Sequence, residues 1–139
     1  PDTYPASNAL CNALQILNHL QDCQKDFREL DRVYLPGDWM EKAGVSEADL
    51  DAPFSTPGLR QVLDQCLDGV EELLVCANQL PGQIKYWRLA LESAVICRIA
   101  GRLMRRLRHQ DPLAGRVELN KFDYFLCAAE GAFQTFFRR

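Results

Sequence analysis

Apolar residues recur through most of this chain at every third or fourth position, which is the period of an α-helix. The first segment shows the pattern in four leucines, Leu10, Leu14, Leu17 and Leu20. Stretches in which apolar and polar residues alternate, as expected of strands, are essentially absent. The sequence therefore predicts an all-α fold, with a few long helices joined by short links.

Capping residues and proline–glycine pairs predict where these helices begin and end. The long helices are expected at residues 7 to near 28, 57–80 and 83–109, with Ser7 and Thr56 as N-caps, and Asn120 is expected to cap a last helix rich in phenylalanine. Between the first two, Asp38 is expected to cap a short helix, and Ser46 with Asp49 resembles a capping box.

Composition excludes several classes of protein. The chain is 47% hydrophobic and 25% charged, as in ordinary globular domains, and its net charge of −3 argues against a nucleic-acid binder. No apolar run approaches the roughly 18 residues that a membrane span needs. The six cysteines form no CxxC or Cys/His cluster, so we expect buried or partly buried free thiols in a cytoplasmic protein.

One face of the first helix carries polar residues suited to chemistry. Asn18, Asp22 and Asp26 follow one another at intervals of four, so each lies one turn beyond the last, and Gln15 joins the same side. Two carboxylates one turn apart repel each other, whereas a hard cation such as Mg²⁺ favours this arrangement of oxygen ligands. Nearby cations could hold phosphate oxygens or form ordinary surface ion pairs: Lys25, Arg28 and Arg32.

Spacing alone is a weak signal, because a second pair of aspartates has the same interval. Asp64 and Asp68 are preceded one turn earlier by Arg60 rather than by an amide, and two glutamates follow them. We interpret this second pair as part of a solvated helix face.

The sequence segments around Asp22 and Asp26 indicate a particular family more specifically. The pattern Q-x-x-N-x-x-x-D-x-x-x-D from Gln15 to Asp26, followed by RVYLP at residues 32–36, resembles the second aspartate-rich motif of the squalene/phytoene synthase family. The segments ALQILNHLQDC, LDRVYLPGDWM and DPLAGRVEL resemble its bacterial hydroxysqualene-forming branch in hopanoid biosynthesis. The resemblance spans nearly the whole chain but only the latter half of the family's fold. Residues 1–139 are thus expected to be the C-terminal half of one isoprenoid-synthase-type helical domain.

The resemblance implies roles for individual residues. Asn18, Asp22 and Asp26 would be Mg²⁺ ligands, and Gln15 would be their polar neighbour in the catalytic cavity. Arg32 and Tyr34 would hold or orient the substrate diphosphate. His19 follows Asn18 directly, and we consider two roles for it: placement of a water molecule, or a hydrogen-bonded histidine at the cavity edge.

The implied reaction is loss of diphosphate from presqualene diphosphate, with water completing hydroxysqualene. The alternatives are head-to-head condensation of two prenyl diphosphates, such as farnesyl diphosphate, and a helical scaffold that has lost catalysis. The basic run at residues 102–108 and the terminal phenylalanines add two further expectations. These are peripheral contact with anionic lipid at the inner membrane face, and self-association through exposed apolar surface.

Overall fold

The computed structural model describes residues 2–137, and every regular element within them is helical. In chain order these are α1 (Tyr4–Leu30), α2 (Gly37–Lys42), a 3-10 helix (Glu47–Asp51), α3 (Pro57–Ala77), α4 (Leu80–Gln83), α5 (Trp87–His109) and α6 (Lys121–Phe137). The all-α prediction and its four long helices are confirmed. No helix in this described part of the chain is both long and apolar enough to cross a bilayer.

The core lies between α1, α3 and α5. The buried face of α1 includes Leu17 and Leu20, and that of α3 includes Leu63 and Leu67. Each such side chain, fully removed from water, contributes about 1.5–3 kcal/mol. Burial of this face holds α1 by its apolar side and leaves its opposite side available for chemistry.

Several predicted boundaries are confirmed by their caps. Thr56 Oγ1 accepts a hydrogen bond from Leu59 N at 3.2 Å and begins α3. At the start of α6, Asp123 N donates to Asn120 Oδ1 and Asn120 N donates to Asp123 Oδ2, each at 2.9 Å. Ser46 and Asp49 also form the expected capping box before the 3-10 helix.

Other boundaries differ from the sequence-based expectation. The first helix begins at Tyr4 and not after Ser7, because Asp2 Oδ1 accepts the hydrogen bond of Tyr4 N and Pro5 suits the first turn. Asp38 lies inside the first turn of α2, whose N-cap is Pro36. The third helix ends at Ala77, and the next long helix begins at Trp87, because Ile84 is extended and interrupts the helical path.

The six cysteines are free, as expected, although Cys11 is exposed instead of buried. Burial raises the pKa of Cys23, Cys66 and Cys97 to about 11. These three are therefore protonated thiols that pack as small apolar side chains.

The last helix packs on α5 through small residues and not through its phenylalanines. Its buried positions are Asp123, Cys127, Gly131 and Thr135. A Cβ at position 131 would lie 2.7 Å from Val95 Cγ2, so only glycine permits this approach. The aromatic residues face outward as a consequence, and we call them the α6 aromatic face: Phe122, Phe125, Phe133, Phe136 and Phe137.

Candidate functional site on helix α1

The solvent-facing side of α1 carries the predicted polar residues in one row. Gln15 and Asn18 are exposed, and Asp22 and Asp26 are half-buried. Leu17 and Leu20 point the other way into the core, which fixes the rotation of the helix about its axis. The helix therefore presents one amide and two carboxylates along two turns of the same face.

The chain then reverses sharply and returns along this face. Asp31 has a left-handed backbone, with φ 53° and ψ 44°, a conformation that aspartate tolerates better than most residues. Asp31 N donates to Phe27 O at 3.1 Å, and Arg32 N donates to Asp26 O at 3.3 Å. These bonds end α1 and direct the RVYLP segment back toward it.

Tyr34 is the residue that this reversal brings onto the site. Its hydroxyl donates a 2.7 Å hydrogen bond to Asp26 Oδ2. This bond to a carboxylate raises the pKa of Tyr34, and nearby Arg32 partly opposes the shift. On its ring face Tyr34 stacks on His19, with ring centroids 4.0 Å apart and planes 4° from parallel.

Asp22 meets a residue from the opposite end of the sequence. Arg116 Nε lies 3.6 Å from Asp22 Oδ1 and 3.0 Å from Glu118 Oε1. Gln21, beside Asp22, donates to Val117 O at 2.6 Å and ties this loop to α1. Sequence reasoning assigned no role to Arg116 or Gln21, although DPLAGRVEL had been noted as part of the resemblance.

A second anchor holds the same loop. The carboxylate of Asp111 accepts hydrogen bonds from Ser55 N and Ser55 Oγ, each at 2.6 Å, and from Leu113 N at 3.0 Å. Burial opposes ionisation of Asp111, but these donors outweigh burial and hold its pKa below the usual range. The position of Arg116 therefore rests on a partly buried network and not on the exposed loop alone.

A groove of about 280 Å³ lies between α1 and this loop. Its lining includes Asp22, Lys25, Arg28 and Arg116, so both signs of charge face it. Arg28 is already engaged, since its Nε lies 2.5 Å from Asp51 Oδ1. Lys25 and Arg32 are exposed on the surface.

The donor set fits a hard cation in part. No cluster of three or more His, Cys, Asp or Glu suited to a metal exists within residues 2–137. Asn18, Asp22 and Asp26 instead offer a neutral amide oxygen and two carboxylates, and Mg²⁺ usually binds one or two carboxylates together with water and substrate phosphates. The row on α1 fits one side of such a site.

The second aspartate pair is occupied by arginines. Arg60 Nη2 lies 2.7 Å from Asp64 Oδ1, and Arg108 Nη2 lies 2.8 Å from Asp68 Oδ1. Arg108 also contacts Glu71 at 2.9 Å, and these carboxylates raise its pKa. The interpretation of this pair as part of a solvated helix face is supported, and the structure adds that both carboxylates are ion-paired.

The protein is all-helical, and α1 presents one amide and two carboxylates on one face. Residues 1–123 match the squalene/phytoene synthase family, and the chain belongs to this family, whose fold is the all-α isoprenoid synthase fold. No solved structure matches the chain.

Several curated proteins of known name are similar to this chain in sequence. The chain is 44% identical over 133 residues to a hydroxysqualene synthase of Rhodopseudomonas palustris, an alignment that covers 96% of this chain and 45% of the relative. It is 41% identical to the hydroxysqualene synthase of Zymomonas mobilis, covering 85% of this chain and 40% of that protein. A 15-cis-phytoene synthase of a Paracoccus species is 33% identical over 78% of this chain and 34% of its own length. The chain thus spans less than half the length of these curated relatives.

Proposed function

We propose that this chain forms part of an enzyme that converts presqualene diphosphate to hydroxysqualene with loss of diphosphate. The observation that carries the proposal is the row of Asn18, Asp22 and Asp26 on one face of α1, with Tyr34 and Arg116 brought to its two carboxylates. Similarity to hydroxysqualene synthases supports the choice of product.

In this proposal the α1 row binds Mg²⁺ on the side away from the core. The metal would supply positive charge to the diphosphate as it departs. Asn18, Asp22 and Asp26 would be its protein ligands, and Gln15 would be a polar neighbour of the bound substrate. Tyr34 holds Asp26 in place, and Arg32 and Arg116 would contact diphosphate oxygens.

The reaction breaks the carbon–oxygen bond to diphosphate and forms a new carbon–oxygen bond to water, which loses a proton. Until water is admitted, the developing cation requires an apolar wall. Leu14 is half-buried beside the α1 row and is suited to form part of that wall. Leu17, which sequence reasoning also considered for this wall, is fully buried in the core, so we assign it to packing.

Head-to-head condensation of two prenyl diphosphates is the second candidate, because a phytoene synthase is among the relatives. In this proposal both reactions would bind diphosphate through the same ligands, so the α1 row does not separate them. The third candidate, a helical scaffold without catalysis, predicts no binding of diphosphate at Asp22 and Asp26.

The first experiment measures binding of inorganic diphosphate to the chain by calorimetry, with and without Mg²⁺. We expect binding that requires Mg²⁺ and is lost in Asp26→Asn, since the amide removes a charged ligand. Absence of binding, magnesium-independent binding, or binding that survives Asp26→Asn would argue for the scaffold and against an enzyme site.

The second experiment identifies the product. The chain is joined to the remaining part of the Rhodopseudomonas palustris relative and incubated with presqualene diphosphate and Mg²⁺. We expect hydroxysqualene by gas chromatography and mass spectrometry. Condensation products formed from farnesyl diphosphate, without conversion of presqualene diphosphate, would favour the second candidate.

Partners beyond the substrate also belong to this proposal. Arg102 and Arg106 pair with Asp123, and Arg108 pairs with Asp68, so much of the basic run is engaged in ion pairs. The α6 aromatic face is the stronger candidate for association between copies of this chain, with peripheral lipid contact in the cytoplasm as the alternative. Light scattering and sedimentation with anionic vesicles distinguish the two.

A further inference from the structure

Two aromatic rings from different parts of the chain form a parallel stack beside the α1 row. The imidazole of His19 and the phenol of Tyr34 have centroids 4.0 Å apart and planes 4° from parallel. Both residues are half-buried, so the stack lies at the edge of the core. Among the described residues, His19 makes this ring contact and no side-chain hydrogen bond.

The stack and the hydrogen bond together restrain Tyr34 at two points. His19 and Asp26 are seven residues apart on α1, so two turns of helix bring them to nearly the same angular position. Tyr34 spans this interval, with its ring face on His19 and its hydroxyl 2.7 Å from Asp26 Oδ2. Rotation of Tyr34 about its side-chain bonds would break one contact or the other.

The restraint favours one oxygen of Asp26 as the atom that a ligand meets. A carboxylate has two oxygens, and the Tyr34 hydroxyl occupies the lone pair of Oδ2 that faces it. Oδ1 keeps both of its lone pairs for a cation bound on the α1 row. Without Tyr34, the side chain of Asp26 would be free to rotate and would lose entropy on binding.

We propose that His19 is a positioning residue whose flat ring holds Tyr34, and that Tyr34 in turn holds Asp26 with Oδ1 directed to the bound cation. This role stands beside the placement of water considered from sequence, because stacking uses the face of the imidazole ring and leaves its in-plane nitrogen atoms for hydrogen bonds. The inference rests on the proposed function, since the cation and diphosphate belong to it.

The positioning can be tested without any ligand. The chain has two histidines, and exposed His109 serves as an internal reference for the imidazole proton resonances of His19 in NMR spectra. We expect the His19 resonances upfield of those of His109 because of the Tyr34 ring current, and we expect Tyr34→Leu to remove the difference. Matching shifts for both histidines in the unmodified chain would overturn the stack.

A second measurement follows Asp26 itself. In protein labelled with ¹³C-aspartate, the side-chain carboxyl resonance of Asp26 is assigned by its loss in Asp26→Asn. We expect this resonance to move in Tyr34→Phe and in His19→Leu, but to stay in place in His19→Phe, which retains a flat ring. An Asp26 carboxyl chemical shift that is unchanged in His19→Leu would show that His19 does not position Asp26.

Binding of inorganic diphosphate with Mg²⁺ separates positioning from chemistry of the imidazole. We expect His19→Leu to weaken binding about threefold to tenfold and His19→Phe to restore it nearly fully, as expected for an aromatic contact. Unchanged melting temperatures exclude simple unfolding. Equal losses in His19→Phe and His19→Leu would mean that the nitrogens matter and the proposal is wrong.

Failure of the proposed function has a different signature. In that case the unmodified chain would show no Mg²⁺-dependent binding of diphosphate, although the ring-current shift and the Asp26 resonance would still report the stack. The two NMR measurements therefore decide the positioning, and calorimetry of the unmodified chain decides the site.

Discussion

The chain contains two pairs of aspartates with the same spacing, and their surroundings differ in kind. Asp22 and Asp26 on α1 meet a neutral phenol hydroxyl and one arginine at 3.6 Å. Asp64 and Asp68 on α3 each meet an arginine at 2.7–2.8 Å. Each carboxylate of the α3 pair already has a close arginine partner, whereas in the α1 pair Asp26 has a neutral partner and Asp22 has only a longer ion pair, so a bound cation would offset more of its charge.

The two pairs also differ in how far their side chains are exposed to solvent. The Asp22 side chain is 30% exposed, and that of Asp68 is 67% exposed. Partial burial makes a charge more sensitive to its partners, because less water screens it. Spacing on a helix therefore selects candidate ligands, while residues from other elements decide whether the carboxylates are available.

The largest expected effect is on diphosphate binding, when one aspartate of either pair is replaced by asparagine. Asp26→Asn and Asp22→Asn should each weaken Mg²⁺-dependent diphosphate binding at least about 100-fold, since even changes behind direct ligands cost about 10–100-fold. Asp64→Asn and Asp68→Asn are the matched controls and should bind as the unmodified chain does. Calorimetry measures the four affinities. Comparable losses in all four variants would contradict a difference in function between the α1 and α3 pairs.

Removal of single arginines tests whether Arg116 contributes to diphosphate binding, which the arginines paired with α3 should not do. In Arg116→Gln, Mn²⁺ alone should bind more tightly to the α1 row, because a competing cation 3.6 Å from Asp22 is gone. Diphosphate with Mg²⁺ should bind about tenfold more weakly, because one charged hydrogen bond is lost.

Arg108→Gln is the control for this split and should change neither affinity. Paramagnetic relaxation measures Mn²⁺ binding, and calorimetry measures diphosphate binding. If Mn²⁺ and diphosphate affinities both fell in Arg116→Gln, the loss would be structural and would not reflect the charge at Asp22.

A double variant tests whether the α3 pair can be given the binding properties of the α1 pair. Arg60→Asn with Arg108→Gln gives α3 the same Asn-x-x-x-Asp-x-x-x-Asp pattern as α1 and removes both arginines. In an Asp26→Asn background we expect no return of diphosphate binding, because no phenol orients the α3 carboxylates. Restored binding would show that the pattern suffices by itself.

The smallest expected effect is on stability. Asp68→Asn should lower the free energy of unfolding by about 0.3–1 kcal/mol, the range of exposed ion pairs, and 1 M salt should reduce the loss. Asp22→Asn should change stability less, because its ion pair is longer. Urea unfolding at two salt concentrations measures both, and a larger loss in Asp22→Asn would reassign that residue to a structural role.

Much of the α1 site was predictable from the sequence. Asn18, Asp22 and Asp26 were expected on one face and lie on one face, because a helix of known phase fixes their directions. Contacts across long sequence separations could not be foreseen. Arg116 lies 94 positions after Asp22, and nothing local to either residue encodes their meeting.

The existence of the long helices follows from the sequence alone, because periodic apolar residues and caps act within a few positions of one another. Thr56 and Asn120 begin their helices as local hydrogen bonding dictates. Tertiary structure alone decided which side of α6 faces inward. Gly131 lets α6 approach Val95 closely, and this close packing leaves the phenylalanines outside.

The same division applies to function. Local periodicity placed the oxygen ligands on α1, and the reversal at Asp31 is short enough to be encoded locally as well. The stack of His19 on Tyr34 and the approach of Arg116 to Asp22 required the packed chain. Helix formation depends on neighbours in sequence, whereas the charge available at a site depends on neighbours in space.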